Sequence, residues 1–440
     1  MIDQIARAGY ALAALYPTAP RGGQDQRDVA QGANRMDAST MDHDFPPVTA
    51  PRPVARERVR TLAASKVREV ANAGFGVADV RAFWFGEGDQ PTPLFIREAA
   101  MAALAAGRTF YTHNQGTAEL RQALGAYLAR LHRRAFDPDA LSIASAGVSA
   151  LMVTMQALLD PGDRVVAVTP VWPNLVEIPR ILGAEVTRVG LRPSGGRWVL
   201  DLGALLAAIT PDTRLLLINS PNNPTGWTLA AEDRAPLLEH CRRLGVWILT
   251  DDVYERVVFS APDGNGVAAA PSFLALADPD DRVVSTNSFS KAWRMTGWRL
   301  GWIVAPPALR EDLGKLLEYN TSCAPDFVQA AGVAALERGE ASVEVLRREM
   351  IVRRDRLLAG LRRLPGVEAT TADGGLYAFF RIAGTDDSVT LAKRLIAEAG
   401  LGLAPGAAFG PEGEGWLRWC FATTAEALDD GLARLAKWIG

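Results

Sequence analysis

Lysine is scarce in this chain. Lys66, Lys291, Lys315, Lys393 and Lys437 are the five lysines among 47 basic residues, and every other one is arginine. A lysine inside a polar motif therefore stands out. Cysteine is scarcer still: Cys241, Cys323 and Cys420 lie far apart with no CxxC pair. That excludes a disulfide framework or a zinc ribbon and suits thiols kept reduced. The four histidines, His43, His113, His132 and His240, form neither HxxH nor HExxH, so no metal site is expected. Charge of one sign is not in excess. A formal net charge of −3 leaves no footprint for nucleic acid or an anionic membrane as the main partner. No apolar run reaches the ~18 residues of a membrane-spanning helix. Asp3 stands where a secretory leader would carry basic residues. The expectation is a cytoplasmic protein.

What is present is the composition of an ordinary globular enzyme. With 440 residues, 48% hydrophobic and 22% charged, the chain has room for two or three domains. Residues 1–55 read as an N-terminal extension, mostly flexible, because Pro17–Arg52 is rich in Gly, Asp, Gln and Pro and lacks apolar periodicity. Ile2, Ile5 and Leu12 would share one face of a short leading helix. From Arg56 onward, short β-branched or leucine runs alternate with helical patterns. The runs are Val165–Val168, Leu215–Ile218, Val246–Leu249 and Val283–Thr286; the helical patterns include Ser149–Leu159 and Ala231–Leu244. This alternation predicts an α/β fold whose mainly parallel sheet is covered by helices. Residues 56–95 read as a linker with the first part of a small domain, and 96–325 as a large domain. Residues 326–440 begin with a long helical pattern broken near Leu364-Pro365-Gly366, pass through strand-like Leu376–Ile382 and end in helical Ala425–Trp438. They read as a smaller α+β domain.

Four motifs carry chemistry. The strongest is Ser288-Phe289-Ser290-Lys291, continuing to Gly297-Trp298-Arg299-Leu300-Gly301. It follows Val283–Thr286, which puts Lys291 just past a strand end, where open α/β sheets place ligands. A lysine there can form a Schiff base with an aldehyde. Ser288, Ser290 and Arg299 offer hydroxyls and a fixed cation to a phosphate; the bland alternative is a solvated basic loop. Asn219-Ser220-Pro221-Asn222-Asn223-Pro224-Thr225-Gly226 is turn chemistry after the run Leu215–Ile218. It also delivers two neutral donors to the same sheet edge. In Thr250-Asp251-Asp252-Val253-Tyr254 a carboxylate at a strand end can pair with a protonated ring nitrogen, and a tyrosine three residues on can reach a ring oxygen. An exposed turn with a packing tyrosine is the more common meaning of that motif in isolation. Ser145-Ala146-Gly147-Val148-Ser149-Ala150 opens a helix whose N–H groups suit an anion, or it is an ordinary cap at Ser149.

Taken together, the order and spacing of these motifs resemble one family, the fold-type I pyridoxal-phosphate enzymes. Within it they are similar to the class I/II, aspartate-aminotransferase-like aminotransferases. The resemblance runs from about Phe83 to Trp438. It implies a large α/β/α cofactor domain around a mainly parallel seven-stranded sheet, a smaller α+β domain, pyridoxal 5′-phosphate as cofactor and no metal. Lys291 is similar to the Schiff-base lysine that also shuttles the proton, and Asp251 to the carboxylate that keeps the pyridine nitrogen protonated. Tyr254 and Asn223 look like the pair that bonds the ring oxygen O3′. Ser288, Ser290 and Arg299, with backbone N–H groups of Gly147 and Val148, resemble the phosphate ligands. Family members often carry a polar side chain where Val148 stands, so that contact is lost here or supplied by Ser149. Trp172 matches the aromatic that stacks on the ring. Tyr111 matches a tyrosine that reaches the neighbouring subunit's phosphate, which implies a homodimer with shared active sites. Arg418 matches the arginine that grips the substrate α-carboxylate, beside Asn223 and the backbone of Gly86. Gly88 replaces the family's proline in that last loop, which implies a freer loop.

The implied activity is transfer of an amino group between an L-amino acid and a 2-oxo acid. Another reaction on the same scaffold, a C–S lyase, a decarboxylase or an amino-acid oxidase, shares the cofactor motifs. A non-enzymatic sensor of a transcription regulator would need an N-terminal helix-turn-helix, for which residues 1–55 are too short and not basic enough. Phe83, Trp84, Phe85, Trp172 and Trp227 either favour apolar or aromatic substrates or belong to the core.

Overall fold

Runs of leucine and β-branched residues without polar alternation need burial on both faces, and the chain meets that need with a sheet between helical layers. The computed structural model describes residues 54–262 and 266–440, so the N-terminal extension, with Ile2, Ile5 and Leu12, lies almost wholly outside the described residues. Seven strands form the main sheet: β1 (Leu141–Ala144), β2 (Arg164–Thr169), β3 (Glu185–Gly190), β4 (Thr213–Asn219), β5 (Trp247–Asp251), β6 (Val283–Ser288) and β7 (Gly301–Val304). Their order is β1-β7-β6-β5-β4-β2-β3. Strands β2 to β6 pair in parallel, while β7 runs antiparallel to β1 and β6. Val165, Ala167, Leu215 and Leu217 pack with the helices Gly147–Leu158, Asn174–Leu182 and Arg310–Thr321. The alternate residues Val166, Val168, Leu216 and Ile218 pack on the other face with Ala231–Leu244.

The four apolar runs each became a strand running one or two residues past the run's C-terminal end; the third starts one residue late, at Trp247. Strands β1, β3 and β7 left no comparable pattern. β1 and β7 span four residues each, and β3 is a polar, partly exposed edge containing Glu185, Thr187 and Arg188. The helix read from Ser149 starts two residues earlier, at Gly147.

A second sheet holds β8 (Val367–Ala369), β9 (Tyr377–Ile382), β10 (Ala404–Pro405) and β11 (Trp416–Cys420), antiparallel, in the order β8-β9-β11-β10. The helices Glu340–Leu361 and Ser388–Ala399 pack on it, and Ala425–Ile439 packs on both of them. The long helical pattern after Phe327 is two helices, Asp326–Arg338 and Glu340–Leu361, parted at Gly339. A side chain there would place Cβ 2.7 Å from the indole nitrogen of Trp293. The first of the two packs on Leu94–Ala105 and Ala118–His132, beside the large sheet; the second packs on the small one. Both sheets belong to one compact unit, Ala55–Gly440. No helix among the described residues is long and apolar enough to cross a membrane.

Candidate active site

Parallel pairing brings the ends of β4, β5 and β6 level, so that Asn219, Asp251 and Thr286 stand side by side. The turns that leave these strands therefore open onto the same edge of the sheet. After β4, Asn219 ties its turn together: its Oδ1 accepts the Asn223 N–H at 2.8 Å and its Nδ2 donates to the Asp251 carbonyl at 2.9 Å. This holds Asn223 buried with its side chain free to face Arg418.

After β5 the two neighbouring carboxylates diverge. Asp251 lines the cavity described below and accepts only the Val253 N–H, at 3.3 Å, among the described residues. Burial pushes its carboxyl up to about 7, helped by the neighbouring Asp252 and opposed by the Val253 N–H and Lys291. Asp252 points away and is held by the hydroxyls of Thr250 at 2.9 Å and Ser285 at 2.6 Å.

After β6, Lys291 reaches back so that its Nζ donates to the Gly86 carbonyl at 2.5 Å. Burial brings its ammonium group down to about 8, with the charges of Arg418 and Arg299 assisting and Cys420 and Glu87 opposing. Ser288 donates to the Ser290 hydroxyl at 2.8 Å. Arg299, in the left-handed region at φ 53°, donates to the Thr296 carbonyl at 2.7 Å. The helix Gly147–Leu158 begins beside them without a side-chain cap, which leaves its first N–H groups for an anion. Gly301 permits this closeness: a Cβ there would stand 2.8 Å from Gly147 N and 2.7 Å from Asn287 O. Ser149 does not replace a polar group at Val148, because its hydroxyl donates to Asn320 at 2.9 Å, away from the cavity.

Arg418 comes from β11, opposite Phe379 and Ala404. It is 4% exposed. It donates to Asn223 Oδ1 at 2.8 Å and to the Trp84 carbonyl, and its guanidinium lies 4.3 Å from the Tyr377 ring centre and 4.8 Å from that of Phe409. Its Nε has no hydrogen-bond partner among the described residues. A buried cation whose partners are an amide, a carbonyl and two rings is well prepared for a carboxylate.

These groups line one cavity of about 1030 Å³. Lys291, Asp251, Tyr254, Asn223, Trp172, Gly147, Val148, Ser288, Ser290, Arg299, Gly86 and Arg418 all reach it. Tyr111 does not; it is 91% exposed. Of the aromatic residues in question, Phe85 and Trp172 line the cavity, while Phe83, Trp84 and Trp227 are core. The loop with Gly88 is tied down: Asp89 N–H donates to the Ala422 carbonyl at 3.2 Å, and Cys420 Sγ stands 3.7 Å from the Glu87 carbonyl. Two contributions escaped the sequence. Tyr377 meets Tyr254, hydroxyl to hydroxyl, at 2.5 Å, and the segment Ala63–Arg68 forms part of the rim. Neither belongs to a polar motif at the end of a parallel strand, the signal that marked Lys291, Asp251 and Asn223, nor to a position that the resemblance singled out, as it did Arg418, Gly86 and Trp172.

The residues fit pyridoxal phosphate. Asp251 is a buried carboxylate without a bonded cation among the described residues, suited to a ring N–H⁺. Tyr254 and Asn223 offer donors for a ring oxygen, Trp172 a flat face, and Lys291 an amine for the aldehyde. The serine pair, Arg299 and the helix start offer hydroxyls, a guanidinium and N–H groups suited to a phosphate. No metal-holding group of three or more His, Cys, Asp or Glu side chains occurs among the described residues.

Comparison with known proteins gives the family. Residues 82–435 match the family model described as aminotransferase class I and II. The chain is 32% identical over 384 residues to an aspartate aminotransferase of Pyrococcus horikoshii, covering 87% of this chain and 96% of that protein. An arginine–pyruvate transaminase of Pseudomonas aeruginosa is 33% identical over 352 residues, 80% of this chain and 88% of the relative. Among solved structures, an aspartate aminotransferase from Thermus thermophilus with maleate has a TM-score of 0.80 at 32% identity, covering 88% of this chain and 99% of that one. The chain belongs to the class I and II aminotransferases, pyridoxal-phosphate-dependent enzymes that move an amino group between an amino acid and a 2-oxo acid.

Proposed function

We propose that Lys291 is the cofactor-bearing lysine and proton carrier of this aminotransferase, Asp251 its ring-nitrogen partner and Arg418 its substrate-carboxylate ligand. The observation that carries the reading is the convergence of these three side chains, from the turn after β6, the end of β5 and β11, on one cavity. Pyridoxal phosphate, when bound, supplies the electron sink that makes the amino acid's α-proton removable. The chain's own groups do the rest. Arg418 grips the α-carboxylate through its planar fork, with Asn223 and the Gly86 backbone beside it. Asp251 keeps the ring nitrogen protonated. Lys291, brought down to about 8, spends part of its time neutral near pH 7, so its Nζ can take the Cα proton and hand it on. Tyr254 and Asn223 orient the ring oxygen, and Trp172 covers the ring. Ser288, Ser290, Arg299 and the N–H groups of Gly147 and Val148 hold the phosphate.

The working unit in this reading is a cytoplasmic homodimer. Phe110 and Tyr111 are 82% and 91% exposed, on a segment whose Asn114 bonds the helix Arg310–Thr321, which itself presents Tyr319 at 89% exposure. Such an aromatic set suits an interface, and Tyr111 would reach the partner's phosphate. In the same reading 56–95 with 326–440 make a small domain around a cofactor domain at 96–325, with the helix Asp326–Arg338 lying on the large-sheet side of that boundary. The test is Lys291→Ala, which should abolish both turnover and the visible cofactor band, whereas Lys66→Ala, the other lysine at the cavity, keeps both. Retention of band and rate in Lys291→Ala would show that the wrong lysine was chosen.

A further inference from the structure

Tyr377 belongs to no sequence motif, yet it stands at the centre of the site. It lies on β9 opposite Cys420 of β11 and is 1% exposed. Its hydroxyl is 2.5 Å from that of Tyr254, and its ring is the one over which Arg418 sits at 4.3 Å. Gly86 makes room for that hydroxyl, since a Cβ at 86 would come within 1.9 Å of it. Phenylalanine would keep the packing on β9 and the cation–π contact with Arg418. The hydroxyl is thus a polar group added to a buried place, and its hydrogen-bond partner there is Tyr254.

We propose that Tyr377 is a positioning residue for Tyr254: its hydroxyl donates to the Tyr254 oxygen, which commits the Tyr254 proton to the cofactor's ring oxygen. This rests on the reading of Tyr254 as a ring-oxygen ligand. Each phenol has one hydrogen to give. When Tyr377 donates, Tyr254 keeps its own O–H for an acceptor in the cavity, and a phenol that accepts a hydrogen bond becomes a stronger donor. The direction follows from the hydrogen count: with the Tyr254 O–H given to the ring oxygen, the hydrogen in the 2.5 Å contact is the one on Tyr377. Burial raises both phenols, so both keep their protons near neutral pH.

The experiment follows the visible absorbance of the bound cofactor against pH in the holoenzyme and its variants. An O–H donated to the ring oxygen lowers that oxygen's hold on protons, so weakening the donor raises the spectroscopic midpoint. Tyr254→Phe should raise it by about one unit, and Tyr377→Phe, which keeps ring, strand and Arg418 contact, by roughly half a unit. The double variant should match Tyr254→Phe alone, because Tyr377 acts only through Tyr254. A shift in Tyr254→Phe with none in Tyr377→Phe overturns the proposal, as do additive shifts in the double variant. No shift in Tyr254→Phe overturns the underlying reading of Tyr254 and the proposal with it.

Discussion

Asp251 and Asp252 are adjacent in sequence and both buried, and their surroundings give them different work. Asp251 faces the cavity; Asp252 is absorbed by Thr250 and Ser285. Asp251→Asn should therefore slow the amino-acid half-reaction by roughly two orders of magnitude or more, a few kcal/mol of lost charge pairing. Asp252→Asn should leave the rate near wild type and lower stability by about 1–3 kcal/mol through its broken buried hydrogen bonds. Rapid mixing with substrate and thermal melting separate the two, and the reverse pattern would move the cofactor partner to Asp252. The pH dependence has a definite sign. The folded protein raises Asp251 from 3.8 to about 7, so without cofactor its uncharged form is favoured, and stability is withdrawn as pH climbs through that window. A ring N–H⁺ favours the charged form, so the rise in melting temperature on adding pyridoxal phosphate should grow between about pH 5 and about pH 8. In Asp251→Asn that growth should be smaller. For Arg418, loss of one member of a buried charge pair costs about 2–5 kcal/mol, so Arg418→Ala should weaken amino-acid binding roughly 30-fold or more while cofactor affinity survives. Arg418→Lys should restore little, because a single ammonium cannot reproduce the fork. Substrate titrations that show unchanged affinity would remove Arg418 from the carboxylate site.

At the scale of elements, the site depends on how closely β7 can approach the start of the helix Gly147–Leu158. Gly301 and Gly297 frame the same G-W-R-L-G motif but play unequal parts. A Cβ at 301 meets backbone at 2.7–2.8 Å, whereas a Cβ at 297 meets nothing within 4 Å. Gly301→Ala should lower both melting temperature and affinity for pyridoxal phosphate, at an overpacking cost of about 1–3 kcal/mol, while Gly297→Ala changes neither. Equal melting and binding in the two variants would mean that β7 yields without loss. Elements also show what could be read in advance. β2, β4, β5 and β6 announced themselves because parallel strands buried on both faces need unbroken apolar runs. β1 and β7 are too short to carry a pattern, and β3 lies at an edge where polar residues are tolerated. Most chemical residues follow the legible strands, which is why most of the site was legible too.

At the scale of the whole molecule, the exposed Phe110 and Tyr111 lead to a test of subunit sharing. If Tyr111 serves the partner's site, Tyr111→Ala and Lys291→Ala chains should each be severely impaired alone. Mixed under conditions of demonstrated subunit exchange, they should recover activity, because one site of the mixed dimer carries neither lesion. Full activity in a species that sediments as a monomer would leave Tyr111 an exposed side chain with no part in the site. The amino-acid sequence alone determined the α/β class and the strand-end positions of Lys291, Asp251 and Asn223, since local turn chemistry and apolar runs are encoded within a few residues of each other; the cofactor came through the resemblance that these motifs together bear to one family. Tertiary structure decided the rest. It turned Asp251 inward and Asp252 away, and it set Arg418 of β11 within reach of Asn223 more than a hundred residues earlier. It also brought Tyr377 against Tyr254. Contacts between distant segments depend on how two sheets pack across a cavity, and no local pattern in the chain encodes that distance.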